Sequence, residues 1–363
     1  MSRTKSFSFS FTAVLLILFV AEILCAIALR FSEGSWIYTR GKNENYELFE
    51  PHPSLVGIPR KNISVTINSI HYKHNSQGFR GDEPEAQKTK KRIVCVGGST
   101  TYCIGVNNNE TWAYYLDSLL QPEYEVLNLG IPGHTTVEHK KLLPDALEKY
   151  APDLVILHCG LNDLRNMHVQ NLGNDYSEFH QPSLYASFGF CLQDRLPRSA
   201  LVYVVFRVLQ NISVIPTCAF RNEMPAGTLS DAVDERVVKI YKRNLDTLIA
   251  QCAENNIPVY LLPQVLSEEV VTDENLKWWI HYLSKKGIFN ALNAMNNVLT
   301  SHYNINNEIF GPRICWETEF QKKDFFDASH LNAIGNLKIA EIVAISFSGN
   351  ASASVPFVPS KPE

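Results

Sequence analysis

Several short segments of this chain carry residue types that could together perform acyl transfer. Ser99 lies in Gly97-Gly98-Ser99-Thr100-Thr101, directly after the apolar run Ile93-Val94-Cys95-Val96. A serine used as a nucleophile needs a general base, a group that orients the base, and donors aimed at the developing oxyanion. Asp327 precedes His330 by three residues in Phe325-Phe326-Asp327-Ala328-Ser329-His330, so both side chains can lie on one side of a turn. Asp327 can then fix the imidazole tautomer, while His330 takes the Ser99 proton and later returns it to the leaving group. For the oxyanion, Gly133 can offer a backbone N–H, Asn162 a side-chain amide and Ser99 its own N–H.

These residues require elements that deliver them to one edge. The run Ile93 to Val96 has the composition of a fully buried parallel strand, and the residue past its C-terminal end sits where open α/β sheets bind ligands. Gly97 and Gly98 permit a tight turn and close backbone approach. The pattern repeats: a helix with Trp112, Tyr115, Leu116, Leu119 and Leu120 on one face ends at Pro122, and the strand Val126 to Gly130 leads into Ile131-Pro132-Gly133-His134. A third strand, Leu154 to His158, leads into Cys159-Gly160-Leu161-Asn162-Asp163. An amphipathic helix through Val237, Ile240, Tyr241, Leu245, Leu248 and Cys252, the strand Val259 to Leu262, a helix from about Glu274 to Leu299 and a last helix ending near Ser346 complete the alternation. Such alternation predicts a parallel sheet with helices on both faces.

With the blocks in place, the stretch from Arg92 to about Ser346 resembles the GDSL-like, or SGNH, hydrolases, whose blocks supply serine, glycine, asparagine and histidine in that order. Gly97-Gly98-Ser99-Thr100-Thr101 is similar to the first block, Asn128-Leu129-Gly130-Ile131-Pro132-Gly133 to the second, Gly160-Leu161-Asn162-Asp163 to the third and Asp327-Ala328-Ser329-His330 to the fifth. Gly133 matches the family's glycine better than Gly130. The first block departs from the family by having Gly98 where many members have aspartate, which removes none of the catalytic groups. The resemblance implies a flavodoxin-like three-layer α/β/α sandwich with a parallel sheet, a Ser99-His330-Asp327 triad and an oxyanion hole of Ser99, Gly133 and Asn162. Rival motifs are absent: Thr101 stands where a G-x-S-x-G elbow needs its second glycine, and neither G-x-G-x-x-G nor a Walker A sequence occurs.

The ends add a location. Phe11 to Leu29 is apolar except for Thr12 and Glu22, long enough to span a bilayer, and Arg3 and Lys5 precede it. The positive-inside rule then keeps residues 1–10 cytoplasmic and exports the rest, with residues 11–29 as an uncleaved anchor. An A-x-A pattern at Ala26 and Ala28 makes a cleaved signal peptide, and so a secreted protein, the competing reading. Residues 30–90 read as a lead-in with a small hairpin in which Ile63, Val65 and Ile67 alternate with polar residues. Residues 91–347 read as the hydrolase domain, with an insertion at 164–230 that could serve as lid or substrate wall and contains the apolar island Leu201 to Leu209. The tail from 348 to 363 reads as disordered.

Composition limits the partners. The 363 residues are 45% hydrophobic with a formal net charge of -4, which offers no basic field for a nucleic acid. Eight cysteines form no framework; Cys191 and Cys218 could pair in an oxidising compartment. His134, His139, His158 and His168 lack metal-ligand spacing, and no metal or organic cofactor is expected. The expected activity is hydrolysis of small acyl esters, acetyl foremost, on a glycan or other O-acylated substrate. An O-acyltransferase using the same triad, a lipase or thioesterase, and a catalytically silent carbohydrate-binding module stand as alternatives.

Overall fold

The computed structural model of the chain describes residues 3–33, 36, 38, 48–50, 52, 55–169, 172–176, 199–212, 214, 229–275, 280, 282–303, 309–312 and 316–347. Two units emerge, one formed by Met1–Gly57 with Gln181–Asn222, the other by Ile58–His180 with Glu223–Glu363. In the first, helix α1 (Arg3–Glu33) contains Ser10–Phe31, a stretch long and apolar enough to be a membrane span or a signal sequence.

The second unit opens with an antiparallel hairpin, β1 (Ile63–Ile67) and β2 (Ile70–His74), in which Ile63 pairs with His74. The turn that follows is fixed by Asn75, whose side-chain oxygen accepts the N–H groups of Gln77 and Phe79. The chain then forms β3 (Lys91–Gly97), the single-turn α2 (Ser99–Tyr102), α3 (Trp112–Leu119), β4 (Tyr124–Gly130), α4 (Thr136–Tyr150) and β5 (Leu154–His158). Helix α5 (Ala200–Asn211) belongs to the first unit. Back in the second come α6 (Glu235–Ala253), β6 (Val259–Leu261), α7 (Lys285–Thr300), β7 (Ile309–Phe310) and α8 (Ala333–Ile345).

The sheet runs β4-β3-β5-β6-β7 with every pair parallel. That is the flavodoxin-like order, and it places the point where the winding reverses between β3 and its two neighbours. Alternation along the strands divides the core. Val94, Val96, Val155, Leu157 and Leu261 pack under α4, α6 and α7, while Ile93, Cys95, Ile156 and Tyr260 pack against α3 and α8. Each fully buried aliphatic side chain in these layers is worth about 1.5–3 kcal/mol. Helix starts are set by local acceptors: Thr135 and Glu138 form a capping box on α4, Ser284 caps α7, and the Asn332 side chain accepts two N–H groups of α8.

Two expectations shift. Helix α7 begins at Lys285, since the Ser284 cap fixes its start; residues 276–279 and 281 of the helix expected from about Glu274 lie outside the described residues. Leu119, the last residue of α3, is exposed, while Trp112, Ala113 and Leu116 face the core, because the short helix runs out past the edge of its partners. The apolar island at Leu201 to Leu209 lies in the helix α5. Cys191, Cys218 and the tail from 348 lie outside the described residues.

Candidate active site

β3 ends level with its neighbours, Gly97 pairing with Gly130 of β4 and with His158 of β5. A side chain at Gly97 would run into Thr101 and the His158 carbonyl, so only glycine lets α2 fold back over the strand end. Ser99 opens that turn. Its flank is secured by Trp112, whose indole N–H donates to the Thr100 carbonyl at 3.2 Å, and by Thr100, whose hydroxyl donates to the Gln264 amide oxygen at 3.1 Å.

The segment before α8 supplies the base. His330 Nε2 lies 2.8 Å from Ser99 Oγ, and His330 Nδ1 lies 2.7 Å from Asp327 Oδ2. The other Asp327 oxygen accepts the backbone N–H groups of Ser329 and His330, each at 2.8 Å. Burial pushes the Asp327 pKa up, but the hydrogen bonds from His330 and from these backbone groups outweigh it and hold the carboxyl at about 2. It is therefore ionised throughout the neutral range and can keep a proton on Nδ1, leaving Nε2 to accept the serine proton.

The candidate oxyanion donors come from the serine turn and from the loops after β4 and β5. Gly133 has φ +81°, a conformation suited to glycine, and neither its backbone N–H nor that of Ser99 donates a hydrogen bond among the described residues. The Asn162 side-chain amide donates one N–H to the His134 carbonyl at 2.8 Å, which leaves the second to point elsewhere. Gly98 adjoins it so closely that a Cβ there would stand 2.5 Å from Asn162 Nδ2. The structure thus brings together Ser99, His330 and Asp327, with Asn162 beside the serine turn and Gly133 at the following strand end. A small depression beside the serine turn is lined by Ser99, His134, Cys159, Leu161, Asn162 and Gln264 among others.

Two neighbours, Gln264 and Arg80, carried no motif in the sequence, and a third, Asp163, entered only as the end of the asparagine block. Gln264 locks the cleft wall: its Nε2 donates to the His158 carbonyl at 2.9 Å, and its backbone is gripped by the Asn296 amide. Its only sequence signal is its position two residues after an apolar strand run. Asp163 accepts the Thr136 hydroxyl at 2.5 Å and the Thr136 N–H, tying the loop after β5 to the start of α4. Burial pushes its pKa up to about 7. Arg80, from the turn after the hairpin, is buried and donates to the carbonyls of Tyr102, Cys103 and Val106 while stacking over Tyr72 at 4.5 Å and Tyr102 at 4.8 Å. It fixes the loop that leaves the Ser99 turn.

The remaining histidines are unsuited to the same work. Burial lowers the pKa of His139 and His158 to about 3, so both are neutral and sequestered, and His168 Nε2 donates to the Ala232 carbonyl at 2.7 Å. No group of three His, Cys, Asp or Glu residues that could hold a metal ion occurs among the described residues.

Comparison with known proteins adds the lineage. Among solved structures, an aryl esterase of M. Smegmatis is 14% identical, with 71% of this chain and 98% of that chain covered and a TM-score of 0.41. A carbohydrate acetylesterase family member from Sinorhizobium meliloti is 12% identical over 71% and 97%, with a TM-score of 0.41. An acetyl xylan esterase is 15% identical over 70% and 98%, with a TM-score of 0.38. No curated protein matches the sequence. Residues 95–286 match the model of the GDSL-like Lipase/Acylhydrolase family, which spans the serine, glycine and asparagine blocks and stops short of Asp327 and His330. The chain belongs to that family and is an ester-hydrolysing enzyme.

Proposed function

We propose that this chain is a membrane-anchored serine esterase, with its catalytic unit outside the cytoplasm, that removes small acyl groups, acetyl foremost, from a glycan or another O-acylated molecule. The carrying observation is the continuous relay from Ser99 Oγ to His330 Nε2 at 2.8 Å and from His330 Nδ1 to Asp327 at 2.7 Å. Ser99 Oγ attacks the ester carbonyl as His330 Nε2 takes its proton. The carbonyl oxygen, now negative, is met by the N–H groups of Ser99 and Gly133 and by the Asn162 amide. His330 returns the proton to the departing alkoxide, leaving Ser99 acylated. A water then repeats the sequence with His330 as base, releasing the carboxylic acid and restoring Ser99.

The surroundings support the substrate class. His134, Asn162 and Gln264 line the depression beside Ser99, and these polar walls suit an oxygen-rich substrate better than a long alkyl chain. Phe326, next to Asp327, is half-exposed and lies against Gly105, where a Cβ would meet its ring. It presents a flat apolar surface beside the relay that a sugar ring can cover. Arg3 and Lys5 ahead of the apolar stretch support export.

The test is covalent labelling by a fluorophosphonate probe together with turnover of p-nitrophenyl acetate. Ser99→Ala should abolish labelling and cost at least about 10⁴-fold in kcat, with the fold unchanged by circular dichroism. A folded Ser99→Ala protein that still turns over the ester refutes the mechanism.

A further inference from the structure

Glu22 is the only acidic residue in the apolar stretch Ser10–Phe31, and a carboxylate at such depth is costly unless paired. The structure pairs it fully. One oxygen accepts the Tyr38 hydroxyl at 2.6 Å and the Ala200 N–H at 2.7 Å; the other accepts the Ser199 hydroxyl at 2.7 Å and the Leu201 N–H at 2.9 Å. Glu22 thus caps α5, meeting the unsatisfied donors and the positive end of that helix. Beyond the cap, Ala200, Tyr203 and Val204 cluster with Cys25, Ala26 and Leu29 of α1. Alanines at the contact allow the close backbone approach by which helices associate in lipid. From the level of Glu22, α5 therefore follows α1 towards Leu29.

The rest of α5 has no aqueous logic. It is apolar from Ala200 to Leu209 except at Arg207, and Val205 and Val208, one turn apart, stand about half exposed, followed by Ile212 and Val214. A row of exposed apolar side chains with a charged residue beside it suits a helix lying at a membrane boundary.

We propose that α5 is a second membrane element, docked on α1 in the extracytoplasmic leaflet, with Val205, Val208 and Ile212 against the acyl chains. This rests on the membrane-anchor reading above and goes beyond it. At 1.5 Å per residue, Glu22 lies about 14 Å along α1 from Phe31, inside the roughly 15 Å half-thickness of the hydrocarbon layer. Helix α5 is about 18 Å long, too short to cross the roughly 30 Å hydrocarbon layer, and from the level of Glu22 its last turn reaches the headgroups. Arg207, whose guanidinium stands 5.9 Å from the Tyr203 ring, lies in its second half, towards the Phe31 end of α1. A long arginine side chain there reaches the headgroups and holds the helix at the boundary of the leaflet. The segment that the sequence offers as a lid or substrate wall is here assigned to lipid.

The experiment reconstitutes the full chain in phosphatidylcholine liposomes and photolyses it with a carbene-generating diazirine confined to the lipid phase. Adducts are mapped by peptide mass spectrometry. Adducts are expected on residues 200–211 as well as on 11–29. In the double variant Val205→Asp/Val208→Asp, adducts on 200–211 should be lost while those on 11–29 persist. Adducts confined to 11–29 in the wild-type chain overturn this inference alone. Absence of adducts from both segments overturns the membrane anchor itself, and with it this inference.

Discussion

Gly98 provides the most discriminating test of the oxyanion site. Its φ of −88° is open to any L-residue, so alanine at this position brings no left-handed strain. What it brings is a methyl group 2.5 Å from Asn162 Nδ2. Ordinary contact begins at 3.4 Å, so the amide nitrogen must retreat by roughly 0.9 Å, and it is already held at 2.8 Å by the His134 carbonyl. A donor moved that far either loses its anchor or misses the developing oxyanion. Removal of one oxyanion donor costs about 10²–10³-fold in kcat, or about 2.7–4 kcal/mol of transition-state stabilisation, and Gly98→Ala should approach that loss with little change in KM. The assay is a double-mutant cycle on p-nitrophenyl acetate with Asn162→Ala. Because both substitutions act on one amide, adding Gly98→Ala to Asn162→Ala should cost little more, a coupling nearly as large as the single effect. Full activity in Gly98→Ala, or strict additivity of the two losses, refutes the reasoning.

Further outcomes follow from the site and the termini. The Asp163 carboxyl is raised from an ordinary 3.8 to about 7 by burial, so its contribution to stability is complete below about pH 4 and lost as pH rises through about 7. In Asp163→Asn that loss should vanish, and Tm curves that stay parallel to wild type from about pH 4 to about pH 8 refute the assignment. A reporter fused after Glu363 should be active only if it works outside the cytoplasm, and a cytoplasmic C-terminus refutes export. Given an acetyl ester with and without a candidate oligosaccharide, the purified protein should release acetate; acetylated sugar with background acetate would make it a transferase using the same residues.

The sheet was legible because its strands are continuous apolar runs, each closed by glycine or a turn, and Ser99 and Asn162 sit where such runs end. Asp327 and His330 were legible for a different reason, since a turn of three residues allows one carboxylate to hold both the ring and the backbone. Gln264 escaped notice because its work is done through bonds to Thr100, His158 and Asn296, none of them near it in sequence. Helix α5 passed as an apolar island because Arg207 alone interrupts the apolar run from Ala200 to Leu209, too little polar punctuation to mark a period. The start of α7 depended on a serine cap, a weaker signal than the apolar spacing that suggested an earlier beginning.

Arg80 has a consequence for where this enzyme can be cut. A chain begun at residue 91 would keep every family block and all five parallel strands, yet it would discard the guanidinium that satisfies the carbonyls of Tyr102, Cys103 and Val106. Each buried acceptor left without a donor costs about 1–3 kcal/mol, and all three lie in the loop that leaves the nucleophile turn. Such a fragment would lose the rigidity of that turn before it lost its sheet. The smallest competent piece must therefore start ahead of Arg80, because the boundary of heritable motif and the boundary of mechanical support do not coincide in this protein.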